Sequence, residues 1–362
     1  MTGSDTPGEW QAIHIFYSSD PSPLLSGCVA PLVRRLRADG LISRYFFINY
    51  WLEGPHVRLR LKPVSAAATA ETLRIAEEAV DEFLRSRPAL YEVDSEYMLN
   101  FYDELFRLEY SDEERIAKYG EGGSMPLRPN NSRFRIPYEP EYDKYGGMAG
   151  VELAEWHFEK SSDLVLELLT TTNMHVRTVM LGLATQLMMI MSMSLLREPK
   201  EVATFMERYH LFWHEWFNLG DGDRETRYAA NHDRLAEDLR HRFSEICLAV
   251  GSGRLDRLTP LSRGWASHCA ELRTRVTTLA ESGLLVFPKR DDRGQFPVHG
   301  GATEREPVRD PEVALRILLS PYLHMTNNRL GTNVVDESYL SFLLARTLRE
   351  EPFAALLAWT AP

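Results

Sequence analysis

The chain has 362 residues, 44% of them hydrophobic and 26% charged, a balance that excludes wholesale disorder and provides for a sizeable core. Lys plus Arg number 41 against 52 Asp plus Glu, for a formal net charge of −11. This surplus of acid argues against a broad nucleic-acid-binding surface but not against a local basic pocket.

In chain order, the polar segment Met1 to Glu9 carries Asp5 and Glu9 where a secretory signal would place basic residues before an apolar run, so no signal is expected. Trp10 to Tyr17 alternates Ile13, Ile15 and Tyr17 with His14 and Phe16, which predicts a strand, and Pro21 and Pro23 break it. Leu25, Val29, Leu32, Val33 and Leu36 share one face of a helix over Leu24 to Ala38, stopped by Asp39-Gly40. Tyr45 to Trp51 reads as a second strand, and Glu53-Gly54-Pro55 as a turn. His56 to Leu61 is a third strand, with Val57, Leu59 and Leu61 on one face and His56, Arg58 and Arg60 on the other.

Helices are expected over Ala66 to Arg85 and Glu96 to Leu108, then a Gly-, Pro- and Asn-rich loop from Gly120 to Ser132. Further helices cover Gly150 to Leu169, Val176 to Leu196, Pro199 to Phe217, Arg224 to Val250 and Leu261 to Ser282. Val179 to Leu196 is the most apolar stretch, but it includes Thr185, Gln186, Ser192 and Ser194 and is marginal in length for a membrane span, so a buried helix is expected. Pro288 to Asp310, rich in charge, Gly and Pro, is expected to be a loop or lid, and Pro311 to Leu330 and Asp336 to Arg349 are the last helices. The expected fold is α+β: one domain over residues 1–362, strands mainly in 1–65 and helices mainly in 66–362. Cys28, Cys247 and Cys269 are odd in number and far apart, so neither a disulfide framework nor a metal motif is expected, and a reducing cytoplasm is the default setting.

Three clusters can carry chemistry. Arg58 and Arg60 lie side by side on one strand face, where two guanidinium groups repel unless an anion or acidic partner sits between them. A solvated face paired with neighbouring acids is the structural alternative. In Pro137-Tyr138-Glu139-Pro140-Glu141-Tyr142-Asp143-Lys144-Tyr145-Gly146-Gly147, two prolines and two glycines fix an irregular backbone whose tyrosines and acids can orient a substrate or simply pack. His324 and Asn328 stand one turn apart near a helix end that Gly331 can cap, and a histidine close to arginines loses proton affinity, which suits a general base. Glu207, His210 and His214 share a helix at metal-ligand spacing. They lie among Tyr209, Phe212, Trp213, Trp216 and Phe217 with no distant ligand nominated, so packing is the expected role and no metal is assigned. The methionines 188, 189, 191 and 193 read as core filler, or as a pliable peptide-binding wall. The sequence shows no Gly-rich phosphate loop, nucleophile elbow or dinucleotide fingerprint.

The order of these clusters resembles a family. The strand from Trp10, Phe46-Phe47-Ile48-Asn49-Tyr50-Trp51, Gly54-Pro55-His56-Val57-Arg58-Leu59-Arg60, Tyr138-Glu139, Lys144-Tyr145-Gly146-Gly147, Phe158-Glu159-Lys160-Ser161-Ser162, His324-Met325 and Asn328-Arg329-Leu330 together look like the C-terminal domain of class I lanthipeptide dehydratases. This domain also occurs as stand-alone thiopeptide-type bacteriocin biosynthesis proteins. The resemblance implies action on a ribosomally made precursor peptide, leader plus core, after a separate tRNA-dependent enzyme has glutamylated Ser or Thr. The first expectation is β-elimination of glutamate to leave dehydroalanine or dehydrobutyrine, which needs a base, charge stabilisation and a cationic pocket. Arg58 and Arg60 would hold the glutamyl carboxylates and His324 would move the proton. Asn328 and Arg329 would orient His324, and Tyr138, Glu139 and Tyr145 would help bind substrate. Pro140 stands where the dehydratases usually carry an arginine. That departure keeps a second branch in view: pyridine synthases, which join two dehydroalanines by a formal [4+2] cycloaddition and expel water and leader. A non-catalytic precursor-binding subunit is the third reading. No cofactor, direct nucleic-acid contact or membrane contact is expected, and the setting is cytoplasmic.

Overall fold

The computed structural model describes residues 8–90, 106, 110–120, 125–216, 222–289 and 304–350. The helix expected over Glu96 to Leu108 falls outside these residues except for Phe106, as does most of the expected 288–310 loop. In chain order the elements are β1 (Gln11–Phe16), α1 (Ala30–Ala38, entered through a π-helical turn at Leu25–Val29), β2 (Ile42–Tyr50), β3 (His56–Pro63), α2 (Thr69–Ser86) and α3 (Asp112–Tyr119). Then come β4 (Ser132–Arg135), α4 (Tyr142–Tyr145), α5 (Gly147–Thr171), α6 (Arg177–Leu196), α7 (Pro199–Trp216), α8 (Gly222–Gly251) and α9 (Pro260–Glu281). The last are β5 (Val286–Pro288), β6 (Arg305–Pro307), α10 (Pro311–Leu330) and α11 (Val334–Arg349). The fold is α+β, with a small antiparallel sheet built mainly from the N-terminal strands.

The residues group into two compact units: 1–140, 158–173 and 290–302 form the first, and 141–157, 174–289 and 303–362 the second. In the first unit the strand order is β2-β3-β1-β4, all antiparallel. Pairing of Ile13 with Leu59 and of Phe47 with Leu59 makes one face aliphatic and aromatic. Against it Arg133 reaches Asp81 at 2.7 Å and Arg135 reaches Glu77, both on α2, so this face is covered by helix. The edge strand β4 corrects the sequence reading, which ended a loop at Ser132. Four residues are too few for a periodic signal, and what makes them a strand is pairing with β1 (His14 opposite Phe134).

In the second unit α6 is the apolar centre. Met188, Met189, Ile190, Met191 and Met193 are all buried, and the Trp265 indole of α9 donates to the Leu187 carbonyl at 3.1 Å. Among the described residues α6 alone is long and apolar enough to cross a membrane, and it is mostly buried inside the fold. Its methionines therefore fill core. Helix α10 starts from an Asp310 cap with Pro311 in the first turn and ends at Gly331 with φ +85°; α11 starts with a reciprocal Asn333–Asp336 capping box. The ends of the segment expected to be loop or lid instead form the β5–β6 ribbon, Val286 opposite Pro307, because extended chain at both ends pairs across it.

Two glycines have steric reasons to be there. A Cβ on Gly146 (φ +84°) would come within 2.7 Å of the Phe287 ring, and one on Gly150 would overlap the Tyr145 carbonyl. Gly182, on exposed α6 surface, meets nothing within 4 Å. Gly150→Ala should therefore destabilise by more than about 2 kcal/mol in urea unfolding, while Gly182→Ala should stabilise by roughly 0.5–1 kcal/mol through helix propensity. Equal effects of the two would contradict the packing described here.

Candidate functional site

The second face of the first unit's sheet carries the chemistry. Register places His14 opposite Arg58, Phe16 opposite His56, and Phe46 opposite Arg60. The β3 cations meet rings here. The Arg58 guanidinium sits 3.5 Å from the Tyr50 ring centre, Arg60 lies 4.4 Å from Tyr138 and 5.1 Å from Phe46, and Lys62 lies 5.6 Å from Trp10. Trp10 meets both Phe46 and Tyr138 edge-on, at 5.0 and 5.9 Å. Ring quadrupoles thus stabilise three cations spaced two residues apart, with Arg60 only 8% exposed.

Two histidines that sequence reasoning passed over complete this face. His14 and His56 are both buried and stacked at 5.0 Å, with Phe16 4.5 Å from His56. The His56 Nδ1–H donates to the Gly54 carbonyl at 2.8 Å, and its Nε2 accepts from Arg58 Nε at 3.1 Å. With one nitrogen facing an acceptor and the other a donor, the ring is neutral and its tautomer is set. Burial, and then Arg58 and Arg60, lower the His56 pKa to about 3; burial, then Arg58 and His56, lower that of His14 to about 2. The alternation rule did place His56 beside Arg58, and this was the available signal.

In the second unit, His324 on α10 is 29% exposed and hydrogen-bonds through Nδ1 to Glu337 Oε1 at 2.9 Å. Glu337, on α11, is fully buried, and its other oxygen accepts from the Tyr209 hydroxyl of α7. Burial and the facing carboxylate push the Tyr209 pKa well above its usual value, so it is a permanent donor. The Trp213 ring lies 5.0 Å from that of His324. This is a carboxylate–imidazole pair: the acid holds Nδ1 protonated and leaves Nε2 to take or give a proton. Glu337 was absent from the sequence reading, and Tyr209 entered it only as a packing residue. They are 13 and 115 residues from His324, and only helix packing joins them.

The other expected residues fall as follows. Asn328 shares the half-exposed face of His324. Arg329 is 1% exposed, and its Nη1 donates to the Met325 carbonyl at 2.6 Å. Tyr145 is buried and stacks 6.1 Å from Tyr322. Tyr138 flanks Arg60 and is half-buried, while Glu139 is exposed. Arg58, Arg60, Tyr138 and Glu139 belong to the first unit; Tyr145, His324, Asn328 and Arg329 belong to the second. A further buried set in the second unit links His157 Nδ1 to His268 Nε2 at 2.9 Å and His157 Nε2 to the Thr326 hydroxyl at 3.3 Å.

Residues 10–348 match the family model described as lantibiotic biosynthesis dehydratase C-term. Among solved structures, the chain is similar to the pyridine synthase TbtD from thiomuracin biosynthesis, with TM-score 0.70 and 21% identity over 93% of this chain and 97% of that one. It is also similar to TsrL, with TM-score 0.62 and 20% identity over 98% of this chain and 99% of that one. The tRNA-dependent lantibiotic dehydratase MibB from Microbispora sp. 107891 aligns with TM-score 0.48 and 18% identity, over 98% of this chain and 29% of that one. Comparison with curated proteins found no match.

The neutral histidine pair has a consequence for acid stability. In the unfolded chain both rings take protons near pH 6.5, whereas in the folded state they do so only near pH 2 to 3. The unfolded state therefore binds more protons between those limits, so stability is full above pH 6.5 and falls as the pH drops below it. The expected slope is up to about 1.4 kcal/mol per pH unit for each histidine. Urea unfolding of His14→Gln between pH 7 and pH 5 should show a shallower loss than the parent; an unchanged slope would mean that His14 is charged in the fold.

Proposed function

The chain belongs to the lantibiotic biosynthesis dehydratase C-terminal family, and within it we propose that the protein is a thiopeptide-type pyridine synthase. In this reading it joins two dehydroalanines of a ribosomally made precursor peptide by a formal [4+2] cycloaddition and expels water and the leader. The observation that carries it is the end-to-end similarity to TbtD, 93% of one chain on 97% of the other. The state of the β3 arginines adds support. Cycloaddition has no glutamate to hold, and Arg58 and Arg60 are seated on aromatic rings, with Arg60 nearly sealed. By the resemblance, Pro140 stands where the eliminating dehydratases usually carry an arginine.

The chemistry divides between two kinds of group. The reaction needs a peptide amide polarised at its carbonyl and protons moved as water and leader depart. His324, with Nδ1–H held on Glu337, offers Nε2 as the group that donates to or accepts from the reacting amide. Asn328, one turn on, supplies a neutral hydrogen-bonding partner on the same helix face. The ring-lined strand face with Arg58 and Arg60 suits a flat, partly unsaturated peptide, since rings stack on conjugated groups and guanidinium donates to carbonyl oxygen. Elimination of glutamate is the second reading, favoured by the presence of Arg58, Arg60 and His324 together.

Two synthetic peptides separate the readings, one carrying two dehydroalanines and the other a glutamyl ester on Ser. The first should lose water and leader and gain pyridine absorbance; the second should keep its mass. Loss of glutamate from the second with no change in the first would replace cycloaddition by elimination. A protein that binds precursor but changes neither, with pathway output intact in His324→Ala, would be a binding subunit.

Glu337→Gln removes one charge-assisted hydrogen bond to the imidazole. A loss of roughly 1.5–3 kcal/mol corresponds to about ten- to a hundredfold in kcat, with little change in KM. An unchanged kcat in Glu337→Gln would show that the imidazole does not act through its carboxylate partner.

A further inference from the structure

We propose that His210 and His214 of α7 and Glu225 of α8 form a binding site for a divalent transition-metal ion of the zinc type. Each of the three offers a donor atom, and these atoms lie within 4.8 Å of one another. The histidines are four residues apart, so both project from one helix face, and their ring centres are 5.7 Å apart. Sequence alone grouped Glu207 with the histidine pair; in the fold Glu207 is engaged by Arg349, and Glu225 from the first turn of the next helix lies with the histidines instead.

The surroundings prepare these donors for a metal. His210 is buried, and its Nδ1–H donates to the Ser338 carbonyl at 2.9 Å. The Ser338 hydroxyl lies 2.9 Å from the same nitrogen; carbonyl and hydroxyl can both accept from Nδ1–H, which leaves the Nε2 lone pair for a ligand, the usual outer-shell arrangement of a metal-bound imidazole. His214 Nδ1 is buried without a hydrogen-bond partner. Glu225 makes no ion pair among the described residues, in contrast to Glu207, whose two oxygens are both engaged by Arg349. Two imidazoles and a carboxylate form a three-ligand zinc set that leaves the fourth position to water.

The ion would act as a clip on α7 rather than as a reaction centre. The same helix places Tyr209 on Glu337 and Trp213 beside His324. Tying α7 to α8 at His210 and His214 would fix the rotation of α7 on which those contacts depend. The proposal stands independently of which reaction the family site runs.

The test uses metal-stripped full-length protein titrated with zinc chloride against a chromophoric chelator, with cobalt(II) as a spectroscopic probe. One zinc per chain is expected, together with visible cobalt absorption of tetrahedral type and a zinc-dependent rise in Tm. His214→Gln and Glu225→Gln should each weaken zinc at least tenfold and abolish the Tm response. Glu207→Gln should leave zinc binding unchanged. His214 and Glu225 lie outside the core, and far-UV circular dichroism of each metal-free variant separates loss of a ligand from loss of fold. Absence of stoichiometric zinc, or zinc held equally well by His214→Gln and Glu225→Gln and hence an adventitious ion only, would overturn the proposal.

Discussion

A carboxylate with no solvent contact must have its charge met by the protein, since burying an isolated ion costs several kcal/mol. Glu337 is in that position, and the arrangement of the second unit follows from satisfying it. One oxygen takes the His324 imidazole from α10, the other the Tyr209 hydroxyl from α7. Its neighbours extend the same knot. Asp336 caps its own helix and takes Arg177 from α6, while the Ser338 carbonyl takes His210 from α7. Successive helical residues point about 100° apart, so three consecutive positions at the start of α11 tie down three different helices.

The first unit solves a different electrostatic problem. The chain carries an excess of acid, yet β3 presents Arg58, Arg60 and Lys62 on one face. Much of the described acid is used elsewhere: Arg74 with Glu71 and Glu78 on exposed α2, and Arg133 with Asp81 and Glu77 beneath the sheet. Ring faces and the neutral His56 imidazole are among the groups that hold the β3 cations. An aromatic ring stabilises a cation without neutralising it.

Helix α7 is the element on which both proposals rest. Its residues 209 and 213 serve the carboxylate–imidazole pair, and its residues 210 and 214 carry the nitrogens assigned to a metal. An aromatic-rich helix of this kind looks like packing material in sequence. Its bifunctional character appears only when α8, α10 and α11 are seen around it.

The sequence by itself determined the elements whose signal is local. Apolar spacing at 3.6 residues marked α1, α2 and the long helices, alternation marked β1 to β3, and Asp310, Pro311 and Gly331 delimited α10. It also placed His56, Arg58 and Arg60 on one strand face, because side-chain direction in a strand alternates whatever lies opposite. The family, too, was legible from the order of the motifs. Tertiary structure alone decided which strand face was covered by helix and which was lined with rings, that Arg329 and Tyr145 are core residues, and that four residues at Ser132–Arg135 make an edge strand. It alone joined Tyr209 and Glu337 to His324 and Glu225 to His210. Those partners are 13 to 115 residues apart, and neither helix periodicity nor capping carries information over that distance. Only the burial of apolar faces against one another brings such groups within hydrogen-bonding range.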